Sequence, residues 1–175
     1  RQYTDPYAFA NVTKPEDYKS FLAGEEKNAA HIFGAHERTV NGVKGVLFTV
    51  WAPKALSVSV VGEFNKYDGR VHLMERIEDT GVFELFIPGL AAGCGYMYEI
   101  KRQGKGTTRK LDPVSRQISS VPITVSVVSD ENMPDSYAWN DGLWMIKRKK
   151  EAGKKKPVTV YEVSLTDLSL IHISE

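Results

Sequence analysis

The sequence predicts an all-β protein: an antiparallel β-sandwich of about 100 residues, with irregular segments at both ends. Two observations support this prediction. Six short segments between residues 46 and 129 alternate apolar and polar side chains with a period of two, and turn residues bound them. The intervals between these segments are too short for the crossover helices that a parallel sheet requires.

The predicted strands are rich in β-branched and aromatic residues, which suit a pleated, half-buried surface. In chain order they are 46–52, 56–64, 71–77, 82–88, 96–102 and 123–129. The sequence EDTG at 78–81 predicts a hairpin turn, and GKG at 104–106 predicts a second turn. Because Pro113 has no N–H to donate, residues 111–115 are predicted to be an edge or crossing segment.

The flanking segments are less regular. Residues 16–36 could form one or two helical turns, interrupted at Gly24 and Gly34. We expect residues 1–30 to be partly mobile unless they fold back over the sandwich. After Asp130 a polar, proline-interrupted segment is predicted to wrap the sandwich, with Trp139 and Trp144 as its anchors.

Composition excludes several classes of protein. The chain is 42% hydrophobic and 26% charged, which is typical of globular proteins. It has no signal-peptide pattern and no apolar stretch near the roughly 18 residues that span a bilayer, so no membrane partner is expected. Cys94 is the single cysteine, which excludes a disulfide framework or thiolate metal site and fits a cytoplasmic location. No cofactor and no metal are expected.

The positive charge is concentrated in one run. Residues 147–156, KRKKEAGKKK, hold 7 of the 23 basic residues and 1 of the 22 acidic ones. The remainder has 16 basic against 21 acidic residues, a net charge of about −5. The run has no interleaved aromatic residue and the body is acidic, so a solvated linker is favoured over nucleic-acid binding.

No catalytic constellation is visible. His31 and His36 are five residues apart, which does not place two metal ligands on one helical face. A small sandwich has no deep cleft in which two carboxylates could face each other, as a glycosidase requires. We therefore interpret the carboxylates near the strands as solvated charges: Glu63, Asp68, Glu75, Glu78, Asp79 and Glu84.

Tyr67 is the most promising binding residue. The other aromatic residues follow strand alternation and are predicted to be core: Phe48, Trp51, Phe64, Phe83, Phe86 and Tyr98. Tyr67 instead lies past a predicted strand end, beside Asn65 and Lys66. An exposed ring can stack on a sugar while amide and ammonium groups bond its hydroxyls. A tyrosine folded over the sandwich edge is an equally open interpretation.

The segment 45–89 resembles a known family. Its motifs FTVWAPKA, VSVVGEFN, YDGR-x-H-x-M and GVFELFIPG match, in order and spacing, carbohydrate-binding module family 48 of bacterial 1,4-α-glucan branching enzymes. Shorter matches extend from DPYAF (5–9) to PVTVYEV (157–163). The resemblance implies an immunoglobulin-like sandwich and a parent enzyme of glycoside hydrolase family 13, which transfers α-1,4-glucan segments into α-1,6 branches.

The resemblance also implies a division of the chain. Its parts are 1–35, a linker from a preceding domain; 36–146, the module; 147–157, a basic linker; 158–165, the start of the catalytic barrel strand; and 166–175, a non-native tail, because the family pattern stops after Val163. The catalytic carboxylates of such enzymes lie in the barrel. We therefore expect this chain to be noncatalytic, with α-1,4-glucan (glycogen or maltooligosaccharide) and the parent's barrel as partners.

The resemblance assigns residues to the sugar site. Tyr67 matches a tryptophan that stacks on glucose in sugar-binding relatives, and Met97 stands where those have a sugar-contacting lysine. Arg109 falls near a second stacking aromatic, and Thr124 matches a threonine of the last binding loop. The segment 68–70 (DGR) is predicted to be a structural turn that Gly69 permits, with its charges paired. One stacking ring, Tyr67, without the sugar-contacting lysine of the relatives predicts weak binding of the sugar.

Three alternatives remain open at this point. The module could be a docking domain that binds no sugar. It could come from a debranching enzyme or a maltooligosyl trehalohydrolase, which share similar strands, although the motifs GEFN, YDGR and FELFIPG favour a branching enzyme. Nucleic-acid binding through 147–156 is the last alternative.

Overall fold

Two antiparallel sheets pack face to face in the computed structural model, which describes residues 5–9, 12–120, 122–130, 139–154, 157 and 159–162. The first sheet has the order β1 (Gly34–Val40), β2 (Val43–Trp51), β5 (Val82–Pro88) and β4 (Glu75–Ile77). The second has the order β3 (Ser57–Val61), β6 (Gly95–Arg102), β9 (Val125–Val127) and β8 (Gln117–Ser119), and β7 (Gly106–Lys110) also pairs with β6. The predicted all-β sandwich is confirmed.

The core forms from alternate residues of the two inner faces. On β2 and β5 the register places Val46 opposite Ile87 and Phe48 opposite Leu85, so their side chains point to the same side. Residues of β3 and β6 meet them from the second sheet, including Val58, Val60, Tyr96 and Tyr98, in one buried cluster. Burial of this apolar surface is the main stabilising contribution, at roughly 25 cal/mol per Å².

The outer face of the first sheet is buried as well. The segment before β1 folds back over it as a 3-10 helix, Pro6–Phe9, and as α1, Pro15–Leu22. The ring of Phe9 packs on Phe86 with centroids 4.9 Å apart, and Tyr18 is 1% exposed. A second 3-10 helix spans Ala29–His31. Residues 1–30 were expected to be partly mobile unless they fold back over the sandwich, and the described residues 5–9 and 12–30 do fold back. The predicted helical turns are formed by α1.

This cover corrects the prediction for Glu84. Its side chain was expected to be solvated, but it is 3% exposed. Oε1 accepts hydrogen bonds from the backbone N–H of Val12 (2.7 Å) and Thr13 (3.1 Å), and Oε2 accepts one from the Tyr18 hydroxyl (2.7 Å). A buried carboxylate needs such donors, and the folded-back segment supplies three.

A second buried carboxylate lies in the predicted crossing segment. Asp112 is 5% exposed, and one of its oxygens accepts hydrogen bonds from the hydroxyls of Tyr96 and Tyr98. Its backbone N–H donates to Oγ of Ser126 on β9 at 2.9 Å. Burial raises the pKa of the Asp112 carboxyl above its ordinary value. The crossing segment is thereby fixed to the interior of the second sheet.

Several strand boundaries differ from the predictions. The strand predicted over 56–64 ends at Val61, because the 3-10 helix Glu63–Asn65 follows. The strands predicted over 71–77 and 123–129 are each only three residues long, β4 and β9. The edge strands β1, β7 and β8 were not predicted. Their polar, mostly exposed residues carry little hydrophobic alternation, and pairing with a neighbour defines them instead.

Trp51 contradicts its predicted burial. Trp51 ends β2 with 48% exposure, its Nε1–H donating to the carbonyl of Thr80 at 3.2 Å and its ring packing against Phe21. Trp139 and Trp144 are 76% and 57% exposed. Most of the segment that they were predicted to anchor, residues 131–138, lies outside the described residues, so the wrapping and its anchors stay a prediction.

The chain divides into two units, Arg1–Pro134 and Asp135–Glu175. In the second unit α2, Gly142–Glu151, contains the first half of the basic run. Residues 158–165 were predicted to begin the catalytic barrel, but the described residues 159–162 form no strand. The predicted tail 166–175 lies outside the described residues. Within the described parts of the chain, helices are too short or too polar to cross a bilayer.

Candidate functional site

The loop after β3 positions Tyr67. It begins with the 3-10 helix Glu63–Asn65, and the chain then reverses through two consecutive residues in the left-handed region, Lys66 (φ 55°) and Tyr67 (φ 58°). The backbone N–H of Tyr67 donates to the carbonyl of Gly62 at 2.8 Å. Left-handed conformations are unfavourable for residues with a Cβ, so other contacts have to hold this reversal.

Asn65 supplies contacts inside the loop. Its Oδ1 accepts the backbone N–H of Gly62 at 3.0 Å. Its Nδ2 donates to the carbonyl of Val60 and to Nδ1 of His72, both at 2.9 Å. The side chain is 8% exposed, and its amide hydrogen-bonding groups are engaged in the loop. The structure therefore places this predicted sugar contact where it shapes the loop.

In the short turn after Tyr67, residues 68–70, the charges pair as predicted, but the glycine has a different role from the predicted one. Arg70 Nη2 lies 2.7 Å from Asp68 Oδ2, and hydrogen bonds from Arg70 lower the pKa of Asp68 to about 2. The predicted pairing of these charges is confirmed. Gly69, however, does not adopt a left-handed φ, so the reversal does not depend on it. A Cβ on Gly69 would collide with the carboxylate of Glu99 on β6 unless that side chain moved.

Arg109 comes from β7 to meet Tyr67. Its Nη2 donates to the carbonyl oxygen of Tyr67 at 2.9 Å, and its Cζ lies 5.7 Å from the centroid of the tyrosine ring. Its Nε donates to Oε2 of Glu99 at 3.0 Å, since the two residues are opposite each other in the β6–β7 pair. The structure thus joins two of the predicted site residues in one cluster.

A depression of about 160 Å³ opens beside the half-buried Tyr67. It is lined mainly by apolar or backbone groups, with Glu63 and Ser119 as polar side chains; the others are Tyr67, Gly93, Gly95, Pro122, Ile123, Val125 and Val127. A flat ring in a depression of mixed apolar and polar lining is suited to the apolar face and hydroxyls of a pyranose.

The remaining predicted residues stand around this depression. Lys66 is exposed on the loop, and Thr124 is exposed next to Ile123. Met97 is half-buried on the outer side of β6 opposite Val61, and its thioether cannot donate a hydrogen bond. Neither Met97 nor Thr124 lines the depression. Sequence reasoning missed Glu63, Ser119 and Ile123, because only the fold brings their loops together.

A larger cavity lies elsewhere, between the folded-back N-terminal segment and the outer face of the first sheet. It measures about 530 Å³, and none of the described residues that line it is Phe, Tyr or Trp. The rings among these described residues are the imidazoles of His31 and His36, which offer smaller stacking surfaces than a tyrosine. Among the described residues, no group of three or more metal-binding side chains comes together. The Tyr67 depression is therefore the better candidate for a sugar site.

Comparison with known families identifies the sandwich. The model of carbohydrate-binding module 48 (isoamylase N-terminal domain) matches residues 32–115, which run from the end of the folded-back segment to the crossing segment. Residues 32–115 are a carbohydrate-binding module of family 48. The module contains Tyr67, its loop, Met97 and Arg109, whereas Thr124 lies just beyond the matched range.

Similar proteins are 1,4-alpha-glucan branching enzymes (GlgB). That of Thermosynechococcus vestitus is 44% identical over 92% of this chain and 21% of the enzyme. That of Thiobacillus denitrificans is 46% identical over 90% of this chain and 21% of the enzyme. The chain spans about a fifth of the length of these relatives. Among solved structures, pullulanase type I from Bacillus subtilis has a TM-score of 0.45 and 26% identity, covering 61% of this chain and 14% of that chain.

Proposed function

We propose that this chain is a noncatalytic module that binds α-1,4-glucan (glycogen or maltooligosaccharide) weakly at the Tyr67 depression. In the parent protein it would position glucan for the catalytic barrel of a cytoplasmic 1,4-α-glucan branching enzyme, which converts α-1,4-linked segments into α-1,6 branches. The observation that carries the proposal is a tyrosine ring, held by its loop in the lining of a depression, in a module of a carbohydrate-binding family.

Weak binding follows from the polar groups around the ring. The amide of Asn65 is already engaged in the loop, and Met97 has no donor. Lys66, Thr124 and Glu63 are exposed and are candidates for contact with sugar hydroxyls. Because these side chains are mostly exposed, each hydrogen bond to a sugar competes with water and contributes little net free energy.

Calorimetric titration of the chain with maltoheptaose tests this proposal. We expect a dissociation constant near the millimolar range, about −4 kcal/mol, that is lost in Tyr67→Ala. Tyr7→Ala is the matched control, since Tyr7 is a 47% exposed tyrosine of the folded-back segment. Binding that survives in Tyr67→Ala would place the sugar elsewhere, and no heat from the unaltered chain would refute glucan binding by this module.

A second candidate function is docking without sugar binding. It is favoured by the exposed apolar residues of α2, Leu143, Trp144, Met145 and Ile146. Four such side chains on one short helix are unusual for a free surface and are typical of a contact with another domain. Self-association of the chain at high concentration that is abolished by Leu143→Ser with Ile146→Ser, together with an absence of sugar binding, would favour docking.

A further inference from the structure

We propose that Arg109 is a positioning residue of the glucan site, which holds the Tyr67 ring beside the depression without touching the sugar. The inference rests on the proposed function, because it concerns how the same site is built. From the resemblance, Arg109 falls near a stacking aromatic residue of the relatives, which indicated only that this chain lacks an aromatic platform there. The contacts of the guanidinium give it a different role.

Arg109 contacts both the backbone and the ring of Tyr67. One N–H donates to the Tyr67 carbonyl at 2.9 Å, and the guanidinium carbon lies 5.7 Å from the ring centroid. A third contact, 3.0 Å from Nε to the carboxylate of Glu99, fixes the direction of the guanidinium. The planar fork of arginine can make these contacts together, whereas the single ammonium of lysine cannot reproduce all of them.

The pair that orients Arg109 is partly shielded from water. The Glu99 side chain is 22% exposed and that of Arg109 is 47% exposed. Gly69 leaves room for the Glu99 carboxylate in its observed position, because a Cβ there would displace it. The loop, β6 and β7 therefore meet at one charged contact, which is more constrained than an ion pair between two freely exposed side chains.

The loop needs an external contact to keep Tyr67 in place. Lys66 and Tyr67 are consecutive left-handed residues without being glycine, a conformation that isolated chains seldom adopt. The inner half of the loop is held by Asn65, whose hydrogen bonds reach Val60, Gly62 and His72. The carbonyl of Tyr67 is held by the hydrogen bond from Arg109, as the earlier part of the loop is held by Asn65.

The position of Arg109 leaves the depression open. Gly95, Met97 and Glu99 form one outward row on β6, with Gly95 lining the depression and Glu99 holding Arg109. Gly95 and Glu99 are four residues apart, about 13 Å at the usual rise per residue in a strand. Tyr67 lines the depression and also contacts Arg109, whereas Arg109 itself does not line the depression.

The test is titration of the full chain with maltoheptaose, comparing Arg109→Ala, Arg109→Lys and Arg76→Ala. Arg76 is the matched control, because its guanidinium lies 5.9 Å from the ring of Phe83 on the other sheet. We expect Arg109→Ala to weaken binding at least fivefold, Arg109→Lys to restore part of the affinity, and Arg76→Ala to stay within twofold of the unaltered chain.

A second readout separates positioning from general stability. With ring-labelled tyrosine, the NMR signals of Tyr67, identified by their loss in Tyr67→Phe, should shift in Arg109→Ala and stay in place in Arg76→Ala. If Arg109→Ala does not fold, Glu99→Gln takes its place, since it keeps the arginine and removes the partner that orients it. That variant should also weaken binding and shift the Tyr67 signals.

Several results would overturn the inference while leaving glucan binding intact. The first is an affinity of Arg109→Ala within twofold of that of the unaltered chain. The second is tighter binding by Arg109→Ala, which would make Arg109 an obstacle to the sugar. The third is an equal loss of affinity in the Arg109 and Arg76 variants. Failure of the unaltered chain to bind maltoheptaose is a separate result. It would overturn the proposed function and this inference with it.

Discussion

The hydroxyl of Tyr18 donates a hydrogen bond of 2.7 Å to Oε2 of Glu84, and both side chains are almost fully buried. The carboxylate also accepts the backbone N–H groups of Val12 and Thr13. Burial raises the pKa of the Tyr18 hydroxyl well above its ordinary value, so it remains a donor throughout the physiological range. One carboxylate of β5 thereby fastens the folded-back segment to the first sheet.

Removal of this hydroxyl should destabilise the chain. We expect Tyr18→Phe to lower the free energy of unfolding by about 1.5–3 kcal/mol, because a hydrogen bond to a buried charge is lost and one oxygen keeps no donor. Urea denaturation gives the value. Tyr7→Phe is the control: its hydroxyl accepts the N–H of Leu73 at 2.9 Å but is exposed, so water can replace it and the loss should stay below about 1 kcal/mol. Equal losses would contradict the importance of Glu84.

A larger ring at the depression should tighten glucan binding. Tyr67→Trp keeps a flat aromatic surface and increases its area, and we expect a gain of about 0.5–1 kcal/mol in maltoheptaose affinity. Titration calorimetry measures it, with Tyr7→Trp as a control that should not change the affinity. Weaker binding by Tyr67→Trp, in a variant that unfolds at the same temperature as the unaltered chain, would argue against stacking at this position.

Gly69 and Gly89 should respond to alanine in opposite ways. At Gly69 an added Cβ would lie 2.8 Å from Cδ of Glu99, and that flexible side chain can move away. Gly69→Ala should therefore change stability by less than about 1 kcal/mol but weaken sugar binding, because the partner of Arg109 is displaced.

Gly89 has no atom within 4 Å of an added Cβ but has a φ of +78°. Gly89→Ala should cost about 1 kcal/mol of stability, since a Cβ is strained in that conformation. It should leave maltoheptaose binding unchanged, because Gly89 does not line the depression. Thermal unfolding and titration of both variants test the contrast, which would fail if the two glycines behaved alike.

The loop that carries Tyr67 should weaken in acid. The His72 ring is half-buried, and burial lowers its pKa below 6.5. Because Nδ1 of His72 accepts from Asn65, protonation removes an acceptor. A histidine with a lowered folded-state pKa contributes stability that is present above the unfolded value of 6.5 and is lost as the pH falls through the folded-state pKa.

Urea denaturation at pH 7.5 and pH 5.0 checks this expectation, with His72→Gln as the comparison. The glutamine carbonyl can still accept from Asn65 but does not titrate. The unaltered chain should lose more stability than the variant between the two pH values, since the other histidines contribute equally to both proteins. Identical losses of stability in the two proteins would mean that protonation of His72 is not linked to folding.

The first sheet illustrates how far sequence reasoning reached and where it stopped. The alternation of β2 and β5 correctly predicted the inner residues, such as Phe48 and Phe83. It could not predict that the outer residues are buried too, because their cover comes from a segment more than 60 residues away, as in the contact between Tyr18 and Glu84. The prediction that the Glu84 carboxylate is exposed was wrong for this reason.

The sequence by itself determined the class of the fold and the family, because the two-residue period, the turn residues and the motifs of 45–89 are all local features. It also singled out Tyr67, since an aromatic residue outside strand alternation is visible in the chain alone. Only the tertiary structure decided what surrounds that ring. Arg109 is 42 residues from Tyr67 and reaches it through the register of β6 and β7, which no local pattern encodes.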